Sequence, residues 1–202
     1  GRKDVALFLE PGPYAGQITR EAGGNVVEVG VPKLDTIHRF PAEITEPVVA
    51  VSWHWHCVSG VPETDWAWPE YKESVVALSK EVKVIGHAHP RAWQRMERWY
   101  REVGIEPVES FSEVLQRASV FVVDNSSTGY EFASTGRPVV WMNSKYYRRN
   151  IEQGLRFWSI IPGLQVDYPG ELTRAVRNAE SSYYQLNVRR AIEKVYHATD
   201  GK

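Results

Sequence analysis

Two short stretches of this chain carry residue types that can do chemistry. In "VFVVDNSSTGYEFASTGRPVVWMN" the apolar run Val120 to Val123 breaks at Asp124 into Asn125, Ser126, Ser127, Thr128 and Gly129. Backbone N–H groups and hydroxyls at the start of a helix make an anion site, and the helix dipole favours negative charge there. The other use of such residues is capping: Thr128 and Glu131 stand at capping-box spacing, so Glu131 can reach back to the cap backbone. Four polar residues nevertheless run together where one cap suffices, and Gly129 leaves space for a ligand to approach the backbone. In "VIGHAHPRAW", His87 and His89 end an apolar run, Pro90 suits the first helical position, and Arg91 follows. Imidazoles there can donate to a phosphate or to a leaving-group oxygen. The plainer alternative is His89 as a helix cap and His87 as a packed edge residue.

These residues need a scaffold, and the pattern around them supplies one. "DVALFLE" and "NVVEVGVPKLD" read as strands around the helix "PYAGQITREAG", and "PAEITEP" reads as a linker framed by Pro41 and Pro47. From near Val48, strands rich in Val and Ile alternate with helical stretches: "VVAVSW", "EYKESVVALSKE", "VKVIGH", "PRAWQRMERWYREVG", "IEPVE", "SFSEVLQRA", "SVFVVDNSS". "VVWMN", "LQVDY", "PGELTRAVRNAESS" and a last helical stretch to His197 follow. Such alternation predicts an α/β fold with a doubly wound parallel sheet covered on both faces. Ligands of these sheets bind at the carboxyl ends of the strands, which is where Asp124 and the two histidines fall. No G-x-G-x-x-G follows the first strand and no P-loop is present, which argues against a nicotinamide or flavin dehydrogenase.

Composition excludes other classes. Lys and Arg total 24 against 25 Asp and Glu, so nothing points to a nucleic-acid partner. One cysteine, Cys57, permits no internal disulfide and fits a reducing compartment. No apolar run approaches the roughly 20 residues of a membrane span. Eight tryptophans suit either a deep core or a stacking site.

The segments "VGVPKLDTI", "GHAHPR", "VVDNSSTGYEFASTGRPVVWM", "IPGLQVDYPGELTRAV" and "HATDGK" together resemble the C-terminal domain of the CDP-glycerol glycerophosphotransferases of teichoic-acid synthesis. The likeness runs from about Val29 to Lys202. It implies the C-terminal half of a GT-B fold, a Rossmann-like domain that holds a nucleotide-diphosphate donor in a cleft between two domains. His89 matches the family's donor-binding histidine in an H-P motif, and Ser126 and Ser127 match paired serines that hold the donor's phosphates. The implied domains are 1–45, the end of an N-terminal domain with its linker; 46–185, the donor-binding domain; and 186–202, a C-terminal helix. The family's His-Gly motif, which carries the catalytic base, does not occur in this sequence, so the chain reads as a donor-binding half lacking its N-terminal partner. Where relatives carry a Pro-Thr-x-Arg element, this chain reads "SWHWHCVSG".

The implied reaction passes glycerol phosphate, or a sugar, from an activated nucleotide to an acceptor hydroxyl on a polymer or glycan. Ser126, Ser127 and Thr128 are expected to hold the diphosphate beside Asp124 and His87, with His89 as donor to the leaving group. Glu131 either bonds a ribose hydroxyl or caps, and the backbone of Ser110 and Phe111 reads the base. Arg137 is expected to anchor a helix end, and Trp53 and Trp55 to stack on a ligand or to pack. No cofactor is implied. The location implied is cytoplasmic, peripheral at the inner membrane face in a longer protein.

Three rival readings remain. The serine-rich turn and G-(R/K)-P also resemble, less closely, UDP-sugar glycosyltransferases and epimerases. A non-catalytic nucleotide-binding module fits the same turn. His54, His56, His87, His89 and Cys57 lie near neighbouring strand ends, where four imidazoles and a thiol are enough ligands for zinc, though phosphate contacts account for them better.

Overall fold

The computed structural model describes residues 4–37, 46–57, 65–147, 158–179 and 182–197. Strands β1 (Phe8–Glu10) and β2 (Val26–Glu28) pair in parallel around helix α1 (Pro13–Glu21), whose Pro13 sits in the first turn, where a missing N–H costs nothing. A short helix, α2 (Lys33–Ile37), then forms where the sequence suggested only a turn. The linker expected between Pro41 and Pro47 falls largely outside the described residues.

The main body alternates strictly. Strands β3 (Val49–Trp53), β4 (Val84–Ala88), β5 (Glu106–Pro107), β6 (Val120–Val123), β7 (Val139–Met142) and β8 (Leu164–Val166) form one sheet in the order β5-β4-β3-β6-β7-β8. Every pairing is parallel. Helices α3 (Trp68–Ser79), α4 (Trp93–Glu102), α5 (Phe111–Arg117), α6 (Thr128–Ala133), α7 (Leu172–Ala179) and α8 (Ser182–Val195) complete the fold. The expected doubly wound sheet, one half of a GT-B arrangement, is therefore the fold observed. The expected helix "PGELTRAVRNAESS" opens as a 3-10 turn at Pro169–Glu171 before α7.

Strands β3, β4, β6 and β7 are buried along their whole length, because helices cover both faces. One face packs Val51, Trp53, Val122 and Met142 against Tyr71, Leu78, Met96, Tyr100 and Val176 from α3, α4 and α7. The other packs Ala50, Phe121 and Trp141 against Leu115, Phe132 and Ile192 from α5, α6 and α8. Leu34 and Ile37 of α2 belong to this second core. Helix α2 thus packs into the same core as this face of the sheet. Helix α8 straddles residues 185 and 186, and its end meets the first unit: His197 donates its N–H to Pro11 at 2.8 Å.

From β3 the chain builds outward through β4 to β5, then returns to build β6, β7 and β8 on the other side. The order reverses between β3 and β6. That seam parts the loops at the strands' carboxyl ends, and it is where open α/β sheets hold ligands.

Candidate functional site

Tyr100 fixes the floor of this edge. Its ring lies against Gly86, where an added Cβ would come within 2.4 Å of it, and its hydroxyl is 2.9 Å from the carbonyls of both Val51 and His87. Adjacent strands β3 and β4 therefore end in register, Ser52 beside His87 and Trp53 beside Ala88.

Asp124, at the end of β6, is fully buried. Its Oδ1 accepts the backbone N–H groups of His54 at 2.8 Å and Asn125 at 2.6 Å, while Oδ2 accepts that of Ala67 at 2.9 Å. Burial raises its pKa, and the three N–H donors and His54 pull against that rise. Both carboxylate oxygens are thus turned onto the chain. They tie the loop after β3 and the residue preceding α3 across the seam, where the sequence suggested a contact with the ligand.

Beyond Asp124 the turn opens to solvent. Ser126 Oγ lies 2.8 Å from Thr128 Oγ1 and accepts the Thr128 N–H at 3.3 Å. Ser127 stands at the N-cap of α6 with an exposed side chain and makes no side-chain cap bond. The capping box expected between Thr128 and Glu131 does not form. Glu131 is buried instead, its Oε2 2.7 Å from Lys33 Nζ, because α2 brings Lys33 over α6. Gly129 leaves no room for a ligand: a Cβ there would lie 2.3 Å from the Trp141 ring, so its missing side chain makes space for the core.

The histidines separate. His87 is buried, with Nδ1 2.8 Å from Ser52 Oγ and its ring 5.8 Å from that of Phe111. Burial, reinforced by His89, lowers its pKa to about 4. His89 is half exposed, and its ring centroid is 5.4 Å from that of His54. Its Nδ1 accepts the Arg91 N–H at 3.1 Å, so the neutral ring carries its proton on Nε2 and can donate from there. Burial, then His54 and Arg91, lower its pKa. His56 turns away, bonding Asp65 through Nδ1 at 2.9 Å and stacking on Trp66. Among the described residues no three of His, Cys, Asp and Glu approach closely enough to hold a metal.

Ser110 is the exposed N-cap of α5, also without a side-chain cap bond, and Phe111 is half-buried after it. Lys33 Nζ lies 6.0 Å over the Phe111 ring, so it spans the ends of β5 and β6. Sequence reasoning gave Lys33 no role; the Pro-Lys-x-Asp run of the junction was the available signal. Arg137 does anchor a helix end, that of α5, donating to the carbonyls of Leu115 at 2.7 Å and Ala118 at 2.8 Å. Trp53 is core, whereas Trp55 is half exposed at the edge. A cleft of about 310 Å³ lined by Asp65, Trp66, Pro69, Glu70, Ser144, Lys145 and Tyr146 opens beyond the end of β7.

Solved structures with this architecture include the wall teichoic acid polymerase TagF, at TM-score 0.61 and 14% identity over 98% of this chain and 54% of that one. The same polymerase as an H444N variant soaked with CDPG matches at TM-score 0.60 and 15% identity, over 96% of this chain and 53% of that one. A UDP-N-acetylglucosamine 2-epimerase homologue from Listeria monocytogenes matches at TM-score 0.60 and 12% identity, over 96% of this chain and 55% of that one. The chain thus spans about half the length of each, and at such identities the likeness is one of fold. No curated protein sequence matches the chain. Residues 69–202, about two thirds of the sequence, match the model of one protein family, from α3 to α8, with the turns that carry His87, His89, Ser110 and Ser126 inside the match. The chain belongs to the CDP-glycerol:poly(glycerophosphate) glycerophosphotransferase family.

Proposed function

We propose that this chain is the donor-binding domain of a transferase that moves glycerol phosphate from CDP-glycerol to an acceptor hydroxyl. The observation that carries the reading is the turn after β6, at the seam where strand order reverses. There the exposed Ser127 hydroxyl is not used in capping, and the paired Ser126 and Thr128 hydroxyls stand beside it. Family membership adds the donor class. Residues 46–185 form the donor domain in this reading, 1–45 the end of a partner domain and 186–202 the closing helix. The place of work is the cytoplasm, at the inner membrane face.

The acceptor oxygen attacks the phosphorus that bears glycerol, and a new P–O bond forms. The bond from that phosphorus to the bridging oxygen breaks, and CMP leaves with the electron pair. The hydroxyl proton passes to a general base, which the family's His-Gly motif would supply from the partner domain. Ser126, Ser127 and Thr128 hold the diphosphate oxygens, and His89 donates from Nε2 to the departing oxygen as charge grows there. His87, fixed on Ser52 and kept neutral by burial, orients this edge beside Phe111. The base lies against Phe111 and the backbone of Ser110, and Lys33 and Glu131 face the ribose. Asp124 acts by holding the loops in place.

Calorimetry of CDP and cytidine on the parent chain and on the Ser126→Ala/Ser127→Ala variant tests this reading. A lost hydrogen bond to a charged group is worth about 1.5–3 kcal/mol, so CDP affinity should fall more than tenfold per serine while cytidine binding is unchanged. Equal CDP affinity in the two proteins would remove the donor site from this turn.

A further inference from the structure

Beside the His89 edge lies a second constellation of side chains. Arg91 stacks over Trp55, with its guanidinium carbon 4.7 Å from the ring centroid, and Trp55 is in turn 6.2 Å from the His89 ring. Arg95 lies 4.9 Å from the ring centroids of both Trp66 and Trp68, which are 5.2 Å apart. Lys72 approaches Trp68 at 5.1 Å. Arg95 and Arg98 stand three apart on α4 and Arg91 lies in the turn that leads into it, and all three are exposed.

Stacking on indole uses the face of a guanidinium and leaves its rim of N–H donors free. Among the described residues no carboxylate forms an ion pair with Arg91, Arg95 or Arg98. The acids nearby are engaged elsewhere: Asp65 holds His56 and Glu97 holds Arg101. Three cations without an ion pair among the described residues, two of them stacked on aromatic rings, therefore begin at the edge where the leaving group is proposed to depart. Trp66 also lines the 310 Å³ cleft, so the row leads from His89 toward open space.

We propose that this arginine–tryptophan row binds phosphodiester groups of the acceptor, a polyol-phosphate chain whose terminal hydroxyl it presents to the donor. The proposal rests on the donor reading of the His89 and Ser126 edge. The negative charge repeats along such a polymer, and the row offers fixed guanidinium forks at repeated positions, each suited to phosphate oxygens. Neutral glycans offer these forks no negative charge to pair with.

The test measures binding of a short poly(glycerol phosphate) oligomer, of glycerol and of CDP to the full 202-residue chain. Binding is compared with the Arg91→Gln/Arg95→Gln variant and with an Arg95→Lys variant. The oligomer should bind the parent and weaken as salt rises. The double variant should lose about tenfold or more for each arginine, with CDP affinity unchanged. Arg95→Lys should retain part of the binding, because charge survives while the planar fork is lost. Oligomer binding that is absent from the parent, or unchanged in the double variant, overturns the proposal, and CDP binding in the same samples reports separately on the donor site. Parallel loss of CDP and oligomer would assign the row to the donor site instead. Arginine-dependent binding to phosphatidylglycerol vesicles without binding to the oligomer would make the row a membrane contact and overturn the proposal as well.

Discussion

Asp124 Oδ1 accepts the backbone N–H of His54 at 2.8 Å, joining the end of β6 to the loop after β3 across the reversal of strand order. The same carboxylate holds Ala67 ahead of α3. One buried acid thus sets the spacing of the two loops between which a donor would lie.

Asp124→Asn should therefore act on stability first. The amide nitrogen would face a backbone N–H that now donates to oxygen, and a buried donor would lose its acceptor. We expect a loss of about 3 kcal/mol or more in urea unfolding, with CDP affinity per folded molecule falling less than tenfold. A stable variant that has lost CDP would show instead that Asp124 touches the donor.

His87 should make stability depend on pH. Its folded pKa, about 4, lies below the ordinary 6.5, so the folded protein binds the proton less well than the unfolded chain. Its contribution is complete above pH 6.5 and is lost as pH falls toward 4, up to about 3 kcal/mol at the limit. Asp124, with a raised pKa, contributes in the opposite sense, so the informative quantity is the parent minus a His87→Gln variant. That difference should shrink from pH 7 to pH 4 in denaturant titrations.

The Lys33 and Glu131 pair ties the segment before the sheet to α6. Glu131 is the buried partner, so Lys33→Met should cost about 1–3 kcal/mol by leaving a desolvated carboxylate without its cation. A double-mutant cycle with Glu131→Gln should return a coupling of at least about 0.5 kcal/mol. Additive effects would mean that the contact carries no energy.

Gly129→Ala should destabilise by about 1–3 kcal/mol through overpacking against Trp141 and should shift tryptophan emission. CDP affinity of the folded fraction should be unchanged. A variant as stable as the parent but weak in CDP would restore the idea that Gly129 makes space for a ligand.

The sheet was legible in the chain because each buried strand is a short Val-rich run and each covering helix carries its own apolar stripe, signals that are local. "VFVVDNSST" likewise announces a strand edge with hydroxyls at a helix start. Local signals do not say which strands become neighbours. Only the order β5-β4-β3-β6-β7-β8 put the Ser126 turn at the seam, beside the loop that begins at His54. The same distant pairing turned Asp124 inward onto backbone N–H groups, gave Glu131 to Lys33 where spacing had suggested a capping box, and filled the space at Gly129 with Trp141. It stood Arg95 between Trp66 and Trp68. Residue type and spacing determined what chemistry the edge can offer. Contacts between residues tens of positions apart, formed when apolar faces bury against one another, decided which side chains remain free to offer it.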